Sequence, residues 1–227
     1  MGKAIFISGI NTDSGKTIVT GLLAKFLLTE GFKVITQKYI QTGCIEISDD
    51  LKIHRQIMQL DWLEEDLSRL TCSYLFKYPA SPHLSASIEN VKIETEKITH
   101  ATNTLSGKYD YVLMEGAGGL IVPINENTTI LDYIQQQKYP VILVSNGVLG
   151  SINHTLLSLE VLKHRKINLI GIVYNQYPKG DLIINKDSEQ TIKNFMLQYF
   201  PNAGFVSIPE VNLNSSPVIN FSSILKQ

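Results

Sequence analysis

The chain has 227 residues, with 20 Lys plus Arg against 21 Asp plus Glu and a formal net charge of −1. That balance lacks the basic excess of a dedicated nucleic-acid binder, and 44% hydrophobic against 18% charged residues excludes a disordered chain. The length suits one α/β domain, and no apolar run approaches the ~18 residues needed to span a bilayer, so no membrane partner is expected.

Residues 3–8 read as a strand ending at Gly9. The strand starts close to Met1 without a signal-peptide cleavage region, so export is not expected and a cytoplasmic protein is. A loop runs to Ser14, and 15–29 reads as a helix with Ile18, Leu22, Leu23, Phe26 and Leu27 at helical spacing, stopped by Gly31. Residues 33–37 are the next strand, so the first 38 residues form a βαβ unit, the usual start of a mostly parallel sheet. The stretch 45–100 is less regular, with a helix over 50–59, a Pro-marked turn over 78–83 and a further helix over 94–105. Short apolar runs at 109–114, 140–145, 168–174 and 203–208 read as buried parallel strands, separated by helices such as 152–164 and 188–199. The tail after Pro209, with Asn212, Asn214, Ser215, Ser216 and Pro217, reads as loop. The result is one α/β domain, a mostly parallel sheet flanked by helices. Cys44 and Cys72 are the only cysteines and form no Cys-x-x-Cys pair, so they read as ordinary thiols rather than a disulfide or zinc framework.

Ser8-Gly9-Ile10-Asn11-Thr12-Asp13-Ser14-Gly15-Lys16-Thr17 lies at a strand-to-helix junction, where backbone N–H groups and a helix N-terminus cradle phosphate oxygens. Lys16 would place a point charge at the β- and γ-phosphates, and the Thr17 hydroxyl would bind the bridging Mg²⁺. The loop departs from the standard P-loop spacing, since Ile10 stands where the first Gly is usual and Gly9 lies one residue further back. A turn that merely contains Gly-Lys-Thr is the alternative, and the flanking strand and helix argue against it. Glu115-Gly116-Ala117-Gly118-Gly119 follows a strand, which places Glu115 where open α/β sheets bind ligands and within reach of Mg²⁺. The pair Asp49-Asp50 is a second acidic candidate, equally readable as the cap of the helix it precedes. Lys38 ends the second strand and would point into the same crevice, because adjacent parallel strands end together. Two lysines facing one phosphate suit phosphoryl transfer to an anionic acceptor. Thr42, beside Gly43, could hydrogen-bond that acceptor or belong to a turn.

With these residues in place, the chain resembles the dethiobiotin synthetases, ATP-dependent cyclo-ligases of biotin biosynthesis with a P-loop NTPase-like fold. The marks of the resemblance span almost the whole chain. They are the long loop from Gly9 to Thr17 with Thr12 inside it, Lys38 with Thr42-Gly43, Ser81-Pro82-His83, Glu115-Gly116-Ala117-Gly118-Gly119, Leu149-Gly150-Ser151-Ile152-Asn153-His154, Asn175 after a strand, and Ile208-Pro209.

The resemblance implies ATP, Mg²⁺, 7,8-diaminononanoate and CO₂ as reaction partners, a carbamate that ATP phosphorylates to a carbamic–phosphoric anhydride, and closure of the ureido ring by the second amine. It implies that Lys16 and Lys38 stabilise the transferring phosphoryl group and the carbamate, and that Thr12 and Thr42 contact the carbamate or diamine, with Ser81 nearby. Asp13, Ser14, Gly15, Lys16, Thr17 and Ile18 would bind the nucleotide together with Gly116, Ala117 and Gly118. Asn175, Gln176, Ile208, Pro209 and Glu210 would recognise adenine or ribose. Thr17, Asp49 and Glu115 would hold Mg²⁺, Asp49 being chosen over Asp50 because Leu51 and Ile53 then keep the family's apolar spacing. The substrate carboxylate would be received by Gly150, Ser151, Ile152 and Asn153 across a homodimer interface, and helix N-termini suit carboxylates. Two departures stand out: Tyr39 follows Lys38 where the family commonly has Pro, and Gln176 follows Asn175 where it often has Asp. A partitioning-type ATPase is the rival from another class. It would carry a signature Lys where this chain has Asn11, and often a basic amphipathic terminal helix for membrane. An amidating synthetase would need a nucleophilic Cys and a further domain.

Overall fold

The structure, a computed structural model, describes residues 1–178, 180–213 and 216–225. Asn214 and Ser215 of the expected loop tail lie outside the described residues. A six-stranded parallel sheet is built from β1 (Lys3–Gly9), β2 (Val34–Lys38), β5 (Tyr111–Gly119), β6 (Val141–Asn146), β7 (Leu169–Asn175) and β8 (Gly204–Ile208). The order across it is β2-β5-β1-β6-β7-β8. A small second sheet pairs β3 (Ile40–Thr42) with β4 (Tyr74–Phe76).

Side chains alternate across a strand, so one strand feeds two cores. Phe6 of β1 joins Met114, Val141 and Leu143 on the face covered by α5 (Thr95–Ser106), α6 (Ile130–Gln137), α7 (Ser151–His164) and α8 (Leu182–Tyr199). Its neighbours Ile5 and Ile7 join Leu113, Ile142 and Val144 on the other face. There α1 (Lys16–Thr29) supplies Leu22 and Leu23, α2 (Asp49–Met58) supplies Ile57 and Met58, and α9 (Ser222–Leu225) supplies Ile224. Coverage of both faces is why the strands read as continuous apolar runs. The short α3 (Glu64–Leu67) and α4 (Pro82–Ile88) complete the irregular middle of the chain. Among the described residues, no helix is long and apolar enough to cross a membrane.

The βαβ unit expected over the first 38 residues takes a different form. β1 and β2 are not neighbours, because β5 lies between them and pairs with both. Apolar periodicity identifies a strand but carries no information on which strand lies beside it. Helix α6 was not expected, although Thr129 and Asp132 form a capping box at its start, with Asp132 N donating to Thr129 Oγ1 at 3.2 Å and Thr129 N donating to Asp132 Oδ2 at 3.0 Å. Helix α8 begins at Leu182 rather than 188, with Asp181 accepting from Ile183 N and Ile184 N. Its first turn is apolar but exposed at Leu182, Ile183 and Ile184, which hides it from an amphipathic pattern.

Candidate active site

The phosphate-loop sequence turns from β1 into α1 through Gly15, whose φ of 96° is left-handed and favours glycine. A Cβ there would also lie 2.2 Å from Asn175 Nδ2, which donates to Ser14 O at 3.2 Å and so ties the end of β7 to the loop. Asn146 Nδ2, at the end of β6, reaches Asp13 O at 3.4 Å. Lys16 Nζ folds inward to donate to Asn11 O at 2.8 Å and Thr12 O at 3.2 Å. Burial first, and then the nearby charge of Lys38, push the Lys16 ammonium down to about 8, against the pull of Glu115, Asp50 and Asp13.

Lys38 ends β2 in register with Glu115 of β5, and Glu115 is in turn in register with Ile7 of β1. The parallel register thus brings Lys38 and Glu115 together beside the loop, with Glu115 on the strand that separates β2 from β1. Lys38 Nζ contacts Glu115 Oε1 at 2.9 Å, Asp50 Oδ2 at 2.6 Å and Gly116 O at 3.0 Å. Burial opposes the charge on Lys38, and the carboxylates of Glu115 and Asp50 outweigh it, so the ammonium is held above its ordinary range. Burial likewise raises Glu115, but the charge of Lys38 and the hydrogen bond from His54 outweigh it and hold the carboxyl well below the usual range.

Asp50, not Asp49, is the acid that α2 turns toward this cluster. Asp49 Oδ2 instead accepts from Cys44 Sγ at 3.3 Å. A helix rotates about 100° per residue, so neighbours on it cannot share a direction, and the apolar spacing used to choose between them was one residue out of phase. His54 was missed altogether. Its Nε2 lies 2.8 Å from Glu115 Oε2, and its i, i+4 relation to Asp50 was the signal that could have found it.

Thr17 Oγ1 lies 3.1 Å from Asp50 Oδ1 and 3.0 Å from Glu115 Oε1. One hydroxyl hydrogen can serve only one of those carboxylate oxygens, which leaves a surplus of acceptors facing one another. The Thr17 hydroxyl, Asp50 Oδ1 and Glu115 Oε1 are hard oxygen donors of the kind that suits Mg²⁺, and Lys38 already offsets part of the carboxylates' charge. Among the described residues, no group of three or more His, Cys, Asp and Glu stands ready to hold a metal by protein ligands alone.

Thr12 Oγ1 lies against Gly118, 3.9 Å from where a Cβ would stand, so the loop and the glycine run after Glu115 face each other. Thr42 ends β3 beside Gly43, and Gly43 packs on Pro79, near Ser81 at the start of α4. Asn175 and Ile208 are in register at the ends of β7 and β8, and Gln176 N donates to Ile208 O at 3.0 Å. Gln176, Pro209 and Glu210 line an open cleft of about 570 Å³. The segment Gly150–Asn153 lies at the start of α7, where Gly150 has a φ of 95° and Ser151 Oγ is buried without a hydrogen-bond partner among the described residues.

A parallel sheet with a Gly-Lys-Thr loop between its first strand and first helix, and with Lys38 at the end of β2 beside Glu115, which lies within β5 because that strand runs on to Gly119 rather than stopping at Met114, defines a P-loop nucleotide-dependent enzyme. A family described as "AAA domain" matches residues 3–203. The chain is 53% identical over 206 residues to the "ATP-dependent dethiobiotin synthetase BioD 2" of Haemophilus ducreyi, covering 91% of this chain and 98% of that one. It is 59% identical over 186 residues to the protein of the same description from Haemophilus influenzae, covering 82% and 97%. Among solved structures, one described as "Structure of pnob8 ParA" superposes with a TM-score of 0.56 at 13% identity, over 100% of this chain and 98% of that one, which bears on the fold alone. The chain belongs to the ATP-dependent dethiobiotin synthetases, ligases of biotin biosynthesis that form carbon–nitrogen bonds.

Proposed function

We propose that this chain closes the ureido ring of dethiobiotin on 7,8-diaminononanoate, using CO₂, ATP and Mg²⁺. The observation that carries the reading is the meeting of Lys38, Glu115, Asp50 and Thr17 beside the phosphate loop. One amine adds CO₂ and loses a proton to become a carbamate. A carbamate oxygen attacks the γ-phosphorus of ATP, the bond to ADP breaks, and a carbamic–phosphoric anhydride forms. The second amine attacks the anhydride carbon and expels phosphate.

Both partners in the phosphoryl transfer are anions, so the work of the site is charge neutralisation and positioning. The loop amides and Lys16 hold the β- and γ-phosphates. Lys38, kept charged by its two carboxylates, faces the carbamate and the transferring group. Mg²⁺ would be held by Thr17, Asp50 and Glu115 and would neutralise phosphate charge. Thr12 and Thr42, with Ser81 nearby, orient the diamine and carbamate. Asp13, Ser14, Gly15 and Ile18 contact the nucleotide, as do Gly116, Ala117 and Gly118 across the crevice. The base and ribose lie in the cleft of Gln176, Pro209 and Glu210, with the buried Ile208 fixing the strand end behind it. Asn175 steadies the loop there through Ser14 O.

The working form is a homodimer, in which Gly150–Asn153 of one copy receives the carboxylate tail of the substrate bound by the other. The unpartnered Ser151 hydroxyl and the exposed rim of Leu149 and Ile183 support that reading. The reaction is placed in the cytoplasm, where ATP is supplied. The test is purified protein with Mg²⁺, bicarbonate and ATP, with and without the diamine, with product followed by mass spectrometry. Diamine-dependent ADP release matched by dethiobiotin is expected. ADP release indifferent to the diamine would return the chain to the ATPase alternative.

A further inference from the structure

We infer that His54 is a positioning residue, which holds Glu115 so that a single carboxylate oxygen, Oε1, is presented to Thr17 and Lys38. The inference rests on the function proposed above. Glu115 is fully buried and its two oxygens are divided between two tasks: Oε1 meets Thr17 Oγ1 and Lys38 Nζ, and Oε2 meets His54 Nε2 at 2.8 Å. An ionised carboxylate only accepts, so the hydrogen of that bond sits on Nε2.

The ring itself is fully buried, yet its other nitrogen, Nδ1, has no hydrogen-bond partner among the described residues. Packing alone does not account for such a residue, since a leucine would fill the space without burying an unmatched polar atom. The one nitrogen that is satisfied is committed to Glu115. The same helix carries Asp50 one turn earlier, so α2 sets one carboxylate directly and fixes the other through His54. Carboxylates that ligate metals are commonly held in turn by a hydrogen bond from behind, and His54 supplies one to Glu115.

The experiment compares the wild type with His54→Gln, whose side-chain amide can still donate at similar reach, and with His54→Leu, which fills space and donates nothing. For each, the Mg²⁺ concentration giving half-maximal dethiobiotin formation and the KM for the diamine are measured. Mg²⁺-promoted binding of a non-hydrolysable ATP analogue and unfolding by urea without metal complete the set. In His54→Leu the Mg²⁺ half-saturation should rise about 10–100-fold in both turnover and binding, with the KM for diamine unchanged, and His54→Gln should restore it. Equal impairment of both variants, or a loss of urea stability with no change in Mg²⁺ dependence, would overturn the inference. If His54→Leu does not fold, His54→Asn, whose amide is too short to reach Oε2, takes its place in the comparison. If the wild type makes no dethiobiotin the proposed reaction fails, while the analogue-binding measurement still decides the role of His54.

Discussion

His54 and Arg55 are consecutive residues of α2, and they enter two buried ionic clusters of opposite character. Arg55 grips Asp66 with Nε on Oδ2 and Nη2 on Oδ1, both at 2.7 Å. Its Nη1 donates to Thr36 Oγ1 at 2.8 Å, while Thr71 Oγ1 and Leu63 N complete Asp66 at 2.7 and 2.9 Å. Donors and acceptors match, as a bidentate pair in the interior requires. The cluster entered by His54 does not close in this way. One threonine hydrogen faces two carboxylate oxygens and can satisfy only one, His54 Nδ1 is unpartnered among the described residues, and Lys16 is pushed down by burial and a neighbouring cation. Burial of charge therefore does not distinguish a binding site from a structural brace; the mismatch does, because a ligand can resolve it.

Removing one partner of the closed pair should have the largest effect. Asp66→Ala leaves the Arg55 guanidinium buried and unpaired and should cost about 3–5 kcal/mol in urea unfolding, with turnover per folded molecule retained. Burial pushes the Asp66 carboxyl up, and the hydrogen bonds and charge of Arg55 outweigh it, leaving the group below its ordinary range. A depressed carboxylate contributes stability that is complete above the ordinary carboxylate range and is lost as pH falls through the lower folded value. The wild type should therefore lose stability in acid more steeply than Asp66→Ala; parallel acid profiles would remove the pair from this role.

Lys38→Gln is expected to do the reverse. Turnover should fall about 10²–10³-fold, the usual cost of removing one preorganised stabilising group, while the protein stays folded by circular dichroism. Near-normal turnover would show that Lys38 is a brace like Arg55. The smallest effect is expected at the exposed pair of Arg165 and Asp132, 3.2 Å apart with side chains 42% and 36% exposed. Arg165→Ala should change urea stability by less than about 1 kcal/mol, which sets the scale for an ion pair in water. A larger change would mean that exposure is a poor guide to which pairs matter here.

The strands and the loop were legible in the sequence because their signals are local: a short apolar run, a Gly-Lys-Thr at its end, an acid or lysine where the run stops. Of the residues read this way, the structure brings Thr17, Lys38 and Glu115 together and folds Lys16 back onto the loop carbonyls beside them. What was not legible depends on phase or on distant pairing. The insertion of β5 between β1 and β2 is a tertiary choice invisible to periodicity. Asp50 differs from Asp49 only by the rotation of one helical step. His54 sits among residues whose spacing reads as ordinary amphipathic helix, and its role emerges only when β5 brings Glu115 against it. The fold by itself does not decide between enzyme and partitioning ATPase, since a ParA structure at 13% identity shares it. Asn11 and the close sequence relatives make that distinction.

In the proposed reaction a carbamate oxygen attacks phosphorus at the crevice between Lys16 and Lys38. A single turnover with CO₂ labelled by oxygen-18 in both positions tests it most directly, with phosphate and dethiobiotin weighed by mass spectrometry. The account predicts one labelled oxygen in the phosphate and the other in the ureido carbonyl. Unlabelled phosphate would mean that water, not the carbamate, attacked the phosphorus, and would contradict it.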